Sequence, residues 1–490
     1  GTLPSDGMRA PSKRSEITRE WLEHILTQYE NQTHPGTKVV IKGFKLQDGM
    51  QSGEGYQSQM FKADIEAIVS RPPDGDNPAQ EESQYQLIIK LLSSDPVDHL
   101  LAKTMRMTKR EFEMYSEVIK DLNAFQEING NDQFRLKLPK LIYGKCINDE
   151  FVLVMENVKV NGFKNVSVNN GLNLQQMLCA IEDLAKFHAV SYAYNQKHKF
   201  LDIYPCYKVD NTTSWIFTWH NTLFLDTVIT YIKDKSEFKD ISEKLENIKD
   251  ELFIKYKEEV QLASNSQVTC LTHGDFWTNN ILFKNVENNK NKDMWNAHII
   301  DWQLANWNSP LLDLHNVLQT STSKEFRKTH LEDVLQFYHS TFHDAVTVMG
   351  ASLDRWTYEE FKKEYDSYML YGLFRGLMIV QFVLSDFMKI IKPVNIQKAD
   401  SNPYLEKIGR KWTKYLVLKR INPDNEREMY LSNSLWTKYL VQEMIEGKNQ
   451  EMINWVIGII MEAEEKGLFE NDYSRKVNND NKSGIKTKQM

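Results

Sequence analysis

Cysteine is scarce in this 490-residue chain. The four present, Cys146, Cys179, Cys206 and Cys270, are scattered and form no CxxC pair. That argues against a disulfide framework and against a thiolate zinc site, and it fits a reducing, cytoplasmic setting. Long apolar runs are missing as well. The longest, "GLMIVQFVLS" at 376–385, lies between Arg375 and Asp386 and is too short to span a bilayer. No membrane span is expected, and the run reads as a buried helix. The opening "GTLPSDGMRAPSKRSE" is polar and carries no apolar secretory core, so residues 1–15 read as a disordered leader or a cloning remnant. Basic excess is also lacking: 60 Lys+Arg against 67 Asp+Glu gives a net charge of −7, with no bulk footprint for nucleic acid. An anionic ligand would have to be held by local charges, backbone N–H groups or a metal ion.

Core-forming residues are plentiful. Hydrophobic residues make up 41% of the chain and aromatics 11%, as in an ordinary globular protein with deep apolar pockets. The length exceeds one compact core and suggests two lobes. Residues 16–30 place Ile17, Trp21, Leu22, Ile25, Leu26 and Tyr29 on one helical face. The period then changes to two. Strands are expected at 38–46, 60–69 and 85–92, with a hairpin tip at 51–59 and a polar Pro/Gly loop at 71–83. A helical pattern covers 98–122, and "LPKLIYGKCI" and "EFVLVMENV" read as two more strands. From 172 onward helical patterns dominate, at 172–194, 222–262, 325–349, 358–390, 403–418 and 434–464, interrupted by strand-like pieces only around 279–302. The expected fold is α+β: a small antiparallel-sheet lobe with one helix over 16–157, a larger, mainly helical lobe over 158–468, and a disordered tail at 469–490.

The most informative stretch is "LTHGDFWTNNILF" at 271–283. Apolar residues surround an acid and an amide five positions apart, Asp275 and Asn280. Such a pair can face one reaction centre from the two ends of a loop. In phosphoryl transfer the acid accepts a hydroxyl proton and the amide holds Mg²⁺. A second acid is then needed as the main metal ligand, and "NAHIIDWQ" supplies Asp301 directly after an apolar strand. These are hard oxygen ligands suited to Mg²⁺. Lys90, within "QLIIKLL", is costly on an apolar strand unless it meets anions such as nucleotide phosphates and a helix glutamate, either Glu111 or Glu113. "GEGYQS" at 53–58 can bring the backbone of Gly53, Gly55 and Ser58 over phosphates. "MENV" at 155–158 can set the backbone of Met155, Glu156 and Val158 against an adenine ring. His273 reads as a brace, His188 as a satisfied helix residue, and Asp313 as either a brace for the 273–280 loop or a helix cap. Trp215, Phe217, Trp219 and Phe224 can line an acceptor pocket or simply fill a core.

With these residues in view, "LTHGDFWTNNILF", "IIDWQLANWNSPLLDL", "FVLVMENVKVNGF" and "LAKFHAVSYAY" resemble the insect ecdysteroid kinase-like family, related to choline kinases and aminoglycoside phosphotransferases. The resemblance covers about 38–465. It implies a protein-kinase-like bilobal fold and ATP- and Mg-dependent phosphorylation of a hydroxyl on a small molecule, an ecdysteroid or a hydroxylated xenobiotic or plant metabolite, by a monomer or weak dimer. Asn157, Gly55 and Trp302 depart from the residues more usual in that family, and none removes a group the chemistry requires. HGD in place of HRD, with no DFG or APE block, sets the chain apart from protein kinases. A pseudokinase would be marked by loss of the acid or metal residues, and here all are present.

Overall fold

The computed structural model describes residues 7–49, 58–73, 79–93, 99, 102–103, 106–209, 214–286, 294–384, 437–438, 440–442, 444–447 and 450–470. Helix α1 (Arg19–Asn31) starts where the Thr18 side chain accepts the Trp21 N–H, and it buries Trp21, Leu22, Ile25 and Leu26. Strands β1 (Lys38–Asp48), β2 (Ser58–Arg71), β3 (Ala79–Leu92), β4 (Leu141–Ile147) and β5 (Glu150–Glu156) follow. They form one antiparallel sheet in the order β1-β2-β3-β5-β4. One face buries Val39, Ile41, Ala63, Ile65 and Ile89 against α1, the outcome of a strict period of two.

Two sequence expectations need correction here. Residues 79–83, read as loop, belong to β3, where Ala79 pairs with Arg71 and Ser83 with Ala67. "AQEES" carries no apolar alternation because that end of the hairpin faces water, and Lys42–Glu82 and Arg71–Glu81 ion pairs run across it. The helix expected over 98–122 is instead α2 (Met107–Glu113), a π-helical turn (Met114–Val118) and α3 (Ile119–Asn129) in direct succession. Arg106, left-handed at φ 54°, precedes it, and Gly130 ends it.

The remaining chain is mostly helical. It comprises α4 (Leu174–His198), α5 (Ser214–Ile232), α6 (Lys239–Ser264), α7 (Leu311–Ser321), α8 (Lys324–Val348), α9 (Tyr358–Asp366), α10 (Met369–Leu384) and α11 (Gln450–Glu465). The helical pattern expected at 222–262 falls on two helices, as does the described part of the one expected at 358–390, while 403–418 lies outside the described residues. Short strands frame the "HGD" segment; those at 281–285 and 295–299 fall on the strand-like pieces expected around 279–302, and those at 164–165, 270–272 and 306–308 were missed in the sequence. β7 (Cys270–Thr272) pairs with β10 (Asn306–Asn308), and β8 (Ile281–Asn285) pairs with β9 (Trp295–Ile299) and with β6 (Lys164–Asn165). Strands of two or three residues carry no legible period. All four cysteines are free thiols. Among the described residues no helix is long and apolar enough to cross a membrane.

α8 lies along α4, and α10 packs on α7 and α11. A buried ion pair ties α8 to α11. Arg327 donates from Nε to both Glu462 oxygens at 3.0 and 2.9 Å and from Nη1 to the Thr322 carbonyl at 2.6 Å. Both residues are buried. Removing Arg327 leaves Glu462 with Lys466 alone, 2.9 Å from Oε1, and breaking a buried pair typically costs about 3–5 kcal/mol, whereas a paired apolar replacement costs little. Arg327→Ala is therefore expected to lower urea stability by about 3 kcal/mol or more, and Arg327→Met with Glu462→Leu by clearly less.

Candidate active site

The site forms where the central strands β2, β3 and β5 meet the loop between β7 and β8. Gly274 is required there. Its φ is +80°, and a Cβ on it would sit 2.2 Å from the Leu304 carbonyl oxygen, inside any allowed contact. The two N–H groups at the turn, from His273 and Gly274, are both received by Asp313, at 2.7 Å to Oδ2 and 3.0 Å to Oδ1. Asp313 Oδ2 also accepts His188 Nε2–H at 2.8 Å, which leaves His188 Nδ1 to accept the Tyr338 hydroxyl at 2.7 Å. Burial alone would raise the Asp313 carboxyl, but the hydrogen bond from His188, the nearby imidazoles and the His273 N–H hold it below its ordinary value. Of the two roles open to Asp313, it thus takes that of a brace. His273 Nε2–H donates to the Ile300 carbonyl at 2.8 Å, and Nδ1 accepts the Asp275 N–H at 3.2 Å. The ring is a stitch between "HGD" and "IID", packed on Trp302 at 4.7 Å between centroids.

This frame fixes the acid and the amide. Asn280 Nδ2 donates to the Asp275 carbonyl at 2.8 Å and to Oδ2 at 3.1 Å, so the two side chains share one face. The Asn280 carbonyl accepts the Ile300 N–H at 2.9 Å, which sets the residue before Asp301. Asp301 adopts φ +61°, a strained value for a non-glycine residue and one concentrated at functional sites. Its Oδ1 is buried with no hydrogen-bond partner among the described residues and lies 3.6 Å from Lys90 Nζ. Lys90 Nζ donates to Glu111 Oε2 at 2.6 Å, so Glu111 is the lysine's partner. Glu113 faces elsewhere and accepts the Cys206 thiol. Burial by itself would push Lys90 down, but the Asp301 and Glu111 carboxylates raise it and keep it charged.

Arg375 is the residue the sequence did not point to. From the buried face of α10 it donates to Asp275 Oδ1 at 2.9 Å and to the Gly274 carbonyl at 3.3 Å. Burial raises the Asp275 carboxyl, while Arg375 pulls it down. The only cue was its place beside the longest apolar run.

A cleft between sheet and loop is lined by Lys90, Glu111, Met155, Glu156, Val158, Asn280 and Asp301, joined by Lys62 and Lys159. The Val158 N–H has no partner among the described residues, whereas Asn157 is engaged through its own N–H with the Gln86 carbonyl. Ser58 opens β2 and is not part of the lining. Gly53 and Gly55 lie outside the described residues. Phe224 is fully buried in a core, while the side chains of Trp215, Phe217 and Trp219 lie outside the described set. Among the described residues no three His, Cys, Asp or Glu side chains gather as a self-sufficient metal site. Asp301 and Asn280 each bring a side-chain oxygen to the same cleft.

Gly274→Ala is expected to displace the loop and cost more stability than Gly350→Ala, where a Cβ meets nothing within 4 Å at a similar positive φ. Asp313→Asn should lose about 2 kcal/mol or more, because an amide cannot accept from all three donors at once. Urea midpoints of the three variants check both.

Comparison with curated proteins finds no match. Among solved structures, a choline kinase from Cryptosporidium parvum Iowa II aligns over 79% of this chain and 93% of its own, at 13% identity and a TM-score of 0.36. Amicoumacin kinase hAmiN, in complex with AMP-PNP, Ca2+ and Ami, aligns over 82% and 96%, at 12% identity and a TM-score of 0.35. Choline kinase LicA from Streptococcus pneumoniae aligns over 74% and 99%, at 11% identity and a TM-score of 0.28. The profile of the ecdysteroid kinase-like family matches residues 52–351, most of the chain and all of the site above except Arg375, and the chain belongs to that family.

Proposed function

We propose that this protein transfers the γ-phosphoryl group of ATP to a hydroxyl of a small, largely apolar molecule. The observation that carries the reading is the convergence of Lys90, Glu111, Asp301 and Asn280 on one cleft, with Asp275 held beside it through Asn280 and with Asp301 Oδ1 buried near Lys90 without a hydrogen bond among the described residues. Lys90, oriented by Glu111, meets the nucleotide phosphates. The Val158 N–H faces the adenine. Asp301 and Asn280 would hold Mg²⁺, which supplies charge neutralisation on the phosphates when bound. Asp275 orients the acceptor and takes the hydroxyl proton as that oxygen bonds to the γ-phosphorus and ADP leaves. Arg375 is a positioning residue: it pins Oδ1 and leaves Oδ2 toward Asn280 and the acceptor. Membership of the ecdysteroid kinase-like family supports an ecdysteroid or a hydroxylated xenobiotic or plant metabolite as acceptor.

Asp275→Asn should cut kcat by roughly 10²–10⁴-fold while ATP binding stays near wild type. A variant retaining more than about a tenth of kcat would remove Asp275 as the base. Asp301→Ala should abolish Mg²⁺-dependent turnover, and Asn280→Ala should raise the Mg²⁺ requirement; wild-type titration curves for both would refute the metal set.

Arg375→Gln has a pH signature. Arg375 opposes the upward push of burial on Asp275. A base works only when deprotonated, so activity falls as pH drops through its pKa. Loss of the guanidinium should move that acid limb to higher pH, an effect that simple loosening of the loop would not produce.

The acceptor class is checked by offering ATP with ecdysone, a panel of hydroxylated plant metabolites, and choline under one set of conditions. Turnover of a steroid or plant alcohol is expected. Turnover of choline alone would overturn the acceptor assignment, and tight Mg·ATP binding without turnover of any alcohol would favour a pseudokinase.

A further inference from the structure

Behind the nucleotide cleft lies a second cavity of about 450 Å³, between α1, the π-turn with α3, and the segment leading into β4. That size suits a drug-sized ligand. Its floor is apolar, with Ile119, Leu136 and Ile142, and its charged lining residues are Lys120, Lys137 and Lys140, with no Asp or Glu. The acids near Lys140 are Glu156 and Glu30, outside the lining, and the Lys140 ammonium lies 5.3 Å from the Tyr29 ring centroid. Two lining residues, Gln28 and His298, each carry a polar atom with no partner among the described residues, Oε1 and Nδ1.

We propose that this cavity is a second ligand site, for an organic anion with an apolar body and a phosphate or carboxylate head. The lysines meet the head, and the apolar floor takes the body. The site is placed to act on the cleft. Tyr115 lines both spaces, and its hydroxyl sits against the Asp301 backbone. Tyr115 also follows Glu111 by one helical turn, inside the π-turn. In addition, Lys140 and Glu156 exchange two hydrogen bonds, from the Glu156 N–H to the Lys140 carbonyl and from the Lys140 N–H to Glu156 Oε1, each 2.9 Å. An occupant that shifts this wall shifts residues on both sides of the expected nucleotide. That coupling rests on the proposed nucleotide reading; the anion site itself does not.

The test uses three probes that share one apolar body: 1-naphthyl phosphate, 1-naphthoate and neutral 1-naphthol. Each is titrated calorimetrically into the full chain with and without saturating AMP-PNP. At least one anion is expected to bind about tenfold or more tighter than naphthol and to bind alongside AMP-PNP. A tighter phosphate would assign the site to phosphorylated alcohols, the class the proposed reaction makes, and a tighter carboxylate to organic acids. The triple variant Lys120→Gln/Lys137→Gln/Lys140→Gln, changed only at exposed side chains, should lose that preference and leave AMP-PNP binding without anion unchanged. Equal affinity for anions and naphthol, an unaltered triple variant, or strict competition with AMP-PNP would overturn the site. Saturating anion should change the AMP-PNP Kd by the same factor as AMP-PNP changes the anion Kd. No change would overturn the regulatory coupling, and failure of AMP-PNP to bind at all would count against the nucleotide reading while the anion titrations still decide the cavity.

Discussion

A single buried carboxylate, Asp313, holds the site together. It receives the backbone of the "HG" turn on one side and His188 on the other, and His188 in turn reaches Tyr338. Those contacts draw the first turn of α7, the middle of α4 and the middle of α8 onto one loop of irregular backbone. Without an acceptor there, two loop N–H groups and a histidine would be buried unpaired, each costing roughly 1–3 kcal/mol. The apolar residues flanking "HGD" then make sense. Leu271, Phe276 and Ile281 are fully buried, and they exclude the water that would otherwise compete for Asp313.

Much of the site was legible because its parts break local rules. Lys90 violates an apolar strand, and Asp275 and Asn280 violate an apolar loop; such conflicts mark function. The sheet was legible because its strands alternate. What failed to show did so for definable reasons. Glu111 and Glu113 are two residues apart on a helix and face nearly opposite ways, so spacing alone could not choose; packing on Cys206 claimed the second. Arg375 is a hundred positions from Asp275 and sits in a helix whose apolar run reads as core, so no periodicity marks a charge aimed inward. Of the strands around the loop, β6, β7 and β10 are too short to carry a pattern, and the polar end of β3 shows that pairing can extend a strand where alternation has ended.

Charged contacts join the two parts of the fold at the site. Lys90 belongs to β3 of the sheet, and Asp301 follows β9 beneath the loop; they stand 3.6 Å apart. Glu111 adds the helix of the sheet part to the same cluster. A change in the position of α2 therefore moves Glu111, Lys90 and the environment of Asp301 together. The π-turn that follows α2 widens the helix at Tyr115, which with Pro139 lines both cavities. An irregularity of this kind inside a helix is a frequent mark of function.

The charges around the cleft decide what can enter it. Lys62, Lys90 and Lys159 on its lining are matched by Glu111, Glu156 and Asp301, and Asp275 is matched by Arg375. Such a wall offers a triphosphate no net attraction, and the chain as a whole carries −7. Each added phosphate charge brought near Asp301 is repelled, and the repulsion grows as water is excluded. On the proposed reading, then, a divalent cation is needed for binding as well as for chemistry. Asp301, strained at φ +61° and with a buried oxygen that makes no hydrogen bond among the described residues, is the residue whose cost in the free protein that cation would offset.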